Sequence, residues 1–77
     1  MQRAGTVTDI AQNVAIVRCP DDDHPEIGTR LLDENLDTVG RVVDVFGPVE
    51  RPFLAVSPDD GVRPASLLGA VLYYRDS

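Results

Sequence analysis

At 77 residues the chain is one domain at most, and a domain this small buries only about 60% of the surface its unfolded form exposes, so it has little room for an enzyme's cleft. With 7 basic against 13 acidic residues and a net charge of −6, it lacks the cations whose counterion release drives a direct grip on nucleic acid, and the charge points to proteins as partners. Cys19 is the single cysteine and cannot form an internal disulfide, and no apolar run reaches the length of a membrane span or signal-peptide core; a cytoplasmic location is the expectation, with no membrane and no small-molecule ligand.

Short β-rich segments punctuated by Gly, Pro, Asn and Asp run from end to end, and no stretch sustains a helical period. Strands are expected near residues 4–9, 13–18, 29–33, 39–46, 52–57 and 69–75. The acidic run Asp33-Glu34-Asn35-Leu36-Asp37 reads as a hairpin turn between two apolar segments, residues 20–25 as a surface loop, and Pro58-Asp59-Asp60-Gly61 as a further turn. Pro64-Ala65-Ser66-Leu67-Leu68 reads as a single helical turn with its leucines tucked under the sheet. These elements predict an all-β class: a small closed or partly open six-stranded antiparallel barrel of the split-barrel, translation-protein-like kind, as one domain over residues 1–77.

The strands do not alternate cleanly. Val14-Ala15-Ile16-Val17, Val42-Val43 with Val45-Phe46, Leu54-Ala55-Val56 and Val71-Leu72 are apolar on consecutive positions, although consecutive residues of a strand point to opposite faces. A small barrel has one interior, so some of these side chains must lie outside. Scattered, they signify nothing; clustered, they mark a docking surface.

The segment 39–57 reads VGRVVDVFGPVERPFLAVS. Pro48 and Pro52 each fix φ and lack an N–H, so neither sits inside a paired ladder, and the chain must leave the sheet between them. Gly47 supplies the backbone freedom for that departure, and Phe46, Val49 and Phe53 travel with a stiff loop. A preordered loop with aromatic anchors loses little entropy on binding. Of the two phenylalanines, one is expected in the core and one at an interface.

At these residues the sequence resembles the GAR-domain subunit of H/ACA ribonucleoproteins, particles that convert uridine to pseudouridine under a guide RNA. The run Val42-Val43-Asp44-Val45-Phe46-Gly47-Pro48-Val49, followed by Pro52 and Phe53, is close to that family's central signature. An early Gly5 to Val7, the Ile27-Gly28 loop and a final 69–74 strand fit its frame. Phe53 stands where the family often has Tyr, and Ser57 where a basic residue is common. Gly-Arg-rich tails are absent from the sequence, as in archaeal forms. That agrees with a basic set that is all Arg and an acidic set that is mostly Asp, a balance expected on a halophilic protein whose carboxylate repulsion is screened by salt.

The resemblance implies a non-catalytic barrel that docks on the pseudouridine synthase catalytic subunit, near its mobile substrate-clamping loop. It meets guide and substrate RNA only indirectly, and acts in rRNA modification and ribosome biogenesis. A subunit preferring one position of that loop shifts the enzyme's equilibrium by its difference in affinity for the two states. Docking is assigned to Val45, Phe46, Gly47, Pro48, Val49, Arg51, Pro52 and Phe53, with Arg51 the candidate for a salt bridge across the interface.

Other sites are weaker. Cys19, Asp21, Asp22, Asp23 and His24 lie close in sequence, but structural zinc wants four Cys or His ligands and only one of each exists, so neither a metal nor another cofactor is expected. A Cys19 and His24 nucleophile pair lacks an orienting third group, and the other catalytic motifs are missing. Tyr73 and Tyr74 are expected to pack the last strand rather than to stack on bases. The 31–43 hairpin is also similar to PRC-type barrels of ribosome-maturation factors, the alternative reading, and a small flavin- or metal-dependent barrel is a third.

Overall fold

The computed structural model describes residues 1–75. Its strands are β1 (Gln2–Ala11), β2 (Val14–Arg18), β3 (Arg30–Leu32), β4 (Thr38–Phe46), β5 (Phe53–Pro58) and β6 (Val71–Tyr74), with one 3₁₀ turn, Pro64–Leu67. Each expected strand is present within two residues of its expected ends. All neighbours are antiparallel, and the sheet closes on itself in the order β1-β2-β5-β4-β3-β6. Closure pairs nearly all of the edge that would otherwise template aggregation, with β3 and β6 meeting through one register pair.

Local chemistry sets the corners. Gln12 and Asn13 join β1 to β2 with φ of 51° and 67°, the paired left-handed conformation of a two-residue hairpin whose twist matches its strands. Between β3 and β4, the Asp33 Oδ1 accepts from the amides of Asn35 at 2.9 Å and Asp37 at 3.1 Å, while Leu36 takes φ 67°. The side chain of Asp33 thus substitutes for a backbone partner inside the turn. Asp33→Ala is expected to cost about 1 kcal/mol, a fall in Tm of about 4–8 °C. Asp33→Asn, which keeps the acceptor, should melt close to the parent protein in a thermal scan.

The interior is filled by small and branched aliphatics, chiefly Val7, Val17, Leu31, Val42, Leu54, Val56 and Leu72, with Ala4, Ala15 and Cys19 between them. A six-stranded barrel is narrower than the eight-stranded kind that just admits side chains, which favours such residues. Two expectations fail here. Neither phenylalanine is in the core: Phe46 is 43% exposed and Phe53 is half-buried on the outside. Of the two leucines expected beneath the sheet, Leu67 is buried, but Leu68 is exposed because the 3₁₀ turn ends before it and sends it outward.

The outward turn of Phe46 has a specific cause. With a period of two, Val42, Asp44 and Phe46 would all point inward, burying a carboxylate without a partner. A bulge between Val42 and Asp44 inserts one residue, so Asp44 pairs with Ala55, Val45 with Leu54 and Phe46 with Phe53. Val42 and Val45 then face the core, while Val43, Asp44 and Phe46 face out. The Asp44 Oδ1 accepts from the Val45 amide at 2.8 Å, within the bulge itself.

Candidate partner-docking surface

The outward rows of three adjacent strands meet beside the β4–β5 loop. Phe46 on β4 lies opposite Phe53 on β5, and Phe53 opposite Arg18 on β2; two residues along, Ala55 lies opposite Ile16. The two phenyl rings stack at 5.6 Å between centroids with 20° between their planes. The guanidinium carbon of Arg18 lies 5.7 Å from the Phe53 centroid, within cation–π range. Exposed Val43 adds to the same apolar strip.

Beyond Phe46 the chain leaves the sheet as the prolines require. Gly47 has φ 89°, and a Cβ there would come within 2.9 Å of Phe53 Cδ2, so glycine serves both the backbone angle and the close passage of the ring. Pro48 to Arg51 closes as a turn, the Arg51 amide donating to the Pro48 carbonyl at 3.2 Å. At its tip Val49 is 85% exposed. The base is tied down twice: the Cys19 amide donates to the Pro52 carbonyl at 3.0 Å, and Arg51 Nε donates to the Cys19 carbonyl at 3.2 Å.

These positions divide the residues assigned from sequence. Phe46, Pro48 and Val49 are presented to solvent, with Phe53 partly covered behind them. Val45 turns towards the core and Pro52 is buried, so both support the loop from beneath and offer little to a partner; the bulge and the Cys19–Pro52 hydrogen bond account for this. Arg51 commits its Nε to the loop base. Residues from outside the segment join the surface: Ile16, Arg18 and Ala55 by register, and Asp22 and His24 across an open groove of about 310 Å³ bordered by Phe46, Pro48 and Val49. The consecutive apolar positions carried the signal for Ile16, Val43 and Ala55; no sequence signal brought Asp22 and His24 to the loop.

The 19–24 segment has its own geometry. Asp21 Oδ1 accepts from the Asp23 amide at 2.9 Å, and His24 Nδ1–H donates to the Pro25 carbonyl at 2.9 Å. Among the described residues no three His, Cys, Asp or Glu side chains converge as metal ligands. Cys19 is fully buried, and desolvation, aided by the charge of Asp21, pushes its thiol above the ordinary value of 9.0. A pKa raised by folding means the folded state holds the proton longer. Its contribution to stability is whole below pH 9 and is lost as the pH climbs through the folded value. Denaturation midpoints should therefore fall more between pH 8 and pH 10 for the parent protein than for Cys19→Ala, and the native thiol should resist alkylation that the unfolded chain accepts.

The family model for the Gar1/Naf1 RNA binding region matches residues 1–77. The chain belongs to the Gar1/Naf1 family. Membership connects it with H/ACA ribonucleoproteins, as the resemblance of residues 39–57 implies, and sets it apart from the PRC-type barrels. A sequence comparison with curated proteins finds no match. Among solved structures, the Gar1 domain of NAf1 superposes with a TM-score of 0.72 at 18% identity, covering 96% of this chain and 85% of that one. At that identity the likeness shows a shared Gar1-type barrel. Among the described residues no helix is long and apolar enough to cross a membrane.

Proposed function

We propose that this chain is a non-catalytic component of an H/ACA pseudouridylation particle, docking on the pseudouridine synthase catalytic subunit through the Phe46–Val49 loop and the apolar strip behind it. The observation that carries this reading is the stacked Phe46–Phe53 pair held on the outside of a closed barrel, with Val49 projecting beside it. An aliphatic core that is complete without either ring leaves both available for another protein. Two hydrogen bonds hold the loop base in one arrangement, so little ordering remains to oppose binding.

On the synthase, the bound loop biases the substrate-clamping segment towards the position it contacts best, and turnover changes without any residue of this chain doing chemistry. The family's description names RNA, yet a charge of −6 opposes a phosphate grip by this chain alone, so RNA is reached through the assembled particle. The reading extends to ribosome biogenesis in a salt-rich cytoplasm. There the Asp-rich surface is screened, and the denaturation midpoint should rise from low to molar potassium chloride; a flat response would contradict salt adaptation.

The deciding test is capture of the synthase catalytic subunit from a mixture of purified particle proteins, with the parent chain and a Phe46→Ala/Val49→Ala variant as bait. Capture by the parent and loss by the variant are expected. Equal capture by both would remove the loop from the interface, and capture by neither would remove the synthase as partner.

A further inference from the structure

The barrel wall is thinly closed at one place. β3 is three residues long and meets β6 through a single register pair, Leu32 with Tyr73. Past that pair the chain turns away at Asp33, and among the described residues no strand lies beside Val71 on the side opposite β1. Beside this gap lies an open groove of about 670 Å³, lined by Val62, Ala70, Val71 and Tyr73 from the 61–73 segment and by Asp33, Glu34 and Asp37 from the β3–β4 turn. Leu36, 54% exposed, borders an adjoining hollow that shares Glu34 and Tyr73 with the groove.

The groove commits to one kind of occupant. An unpaired stretch of strand accepts an extended chain, whose backbone adds to the ladder while alternate side chains enter the groove. Three carboxylates and no arginine line it, so the segment must carry cations; Asp33 is engaged by its own turn, whereas the side chains of Glu34 and Asp37 make no ion pair with a described residue. The apolar side calls for aliphatic residues between the cations, and an arginine could also lie across the Tyr73 ring. Phosphate chains are repelled by the same carboxylates. A second copy would set like charges against each other across a two-fold axis.

We propose that the β3–β6 seam binds an extended, basic and aliphatic segment of a partner protein, separately from the Phe46 loop. β4 spans nine residues from this groove to that loop, so at the usual rise per residue the two surfaces lie about 26 Å apart and can be filled together.

The probe is a short synthetic peptide of alternating arginine and valine, titrated into the isotopically labelled chain while amide resonances are followed. Shifts should centre on Leu36, Val62, Val71 and Tyr73 and leave Phe46 and Val49 unmoved. Glu34→Arg/Asp37→Arg, two exposed turn positions, should bind about tenfold weaker or worse while its melting curve stays close to the parent's. An oligoarginine peptide of equal charge should bind more weakly than the alternating one. Equal binding by the two peptides, shifts spread over the acidic surface or centred on Phe46, no binding, or undiminished binding by the double variant would each overturn the proposal. So would seam shifts produced by single-stranded RNA, or concentration-dependent seam shifts without peptide, which would assign the groove to nucleic acid or to a second copy.

Discussion

Gly5→Ala is expected to remove a large share of the barrel's stability, about 3–5 kcal/mol. Gly5 sits at the bulge where β1 passes between β6 and β2, with φ 149°, and a Cβ there would drive into the carbonyl oxygen of Arg18 and lie 3.0 Å from Val17 Cγ1. The obstructing atom is backbone of the neighbouring strand, so relief requires β1 and β2 to separate, and the core beneath them includes Ala4, Val7 and Val17. Overpacking combined with backbone strain costs about 3–5 kcal/mol, against about 4–12 kcal/mol for the whole stability of a chain this size. Gly61→Ala makes the control. It also has a left-handed φ, 86°, but its Cβ would meet nothing within 4 Å, so only the conformational cost of about 1 kcal/mol applies. Urea denaturation followed by circular dichroism separates the two. A Gly5→Ala variant as stable as Gly61→Ala would show that the strands yield more easily than their packing implies.

The second large effect is on binding. Phe46→Ala/Val49→Ala should weaken association with the synthase subunit by about 30-fold or more, equal to about 2 kcal/mol, the range of truncated aromatic anchors at the centre of an interface. Stability should hardly change, because Phe46 is 43% exposed and Val49 85% exposed and neither belongs to the core. That separation is the useful part: a core phenylalanine would lose about 3–5 kcal/mol of stability on truncation, and binding would fall through unfolding. Calorimetric titration beside a thermal melt reads both quantities on the same samples. A fall in Tm that accounts for all of the lost binding would place Phe46 in the structural frame instead of the interface.

Much of this architecture is written in the punctuation of the chain. The Asp33–Asp37 turn and the two prolines around Val49 each have a local mechanism, so strand ends could be read from them, whereas the Gln12-Asn13 corner escapes a sequence reading that places Asn13 inside a strand. Facing was harder. The run from Val42 to Phe46 gives no apolar alternation to follow, and its register depends on one inserted residue. The available clue was Asp44, a carboxylate that a regular strand would have buried. The same bulge explains why Val45 supports the loop from inside, and the buried Pro52 is explained by its hydrogen bond to Cys19, a contact across the fold that no local pattern announces. Likewise, the approach of Asp22 and His24 to the loop and the thin closure between β3 and β6 arise from closing the barrel, which brings together segments distant in sequence.

The docking assignment rests on an outward face whose apolar side chains come from three strands and one loop. Hydrogen exchange on the chain, free and bound to the synthase catalytic subunit, tests it most directly. The account predicts that binding slows exchange from Val43 through Phe53 and at Ile16, while the 33–37 turn exchanges as in the free protein. Slowing confined to the 33–37 turn and the 61–71 segment, with the Phe46–Val49 loop unchanged, would contradict it.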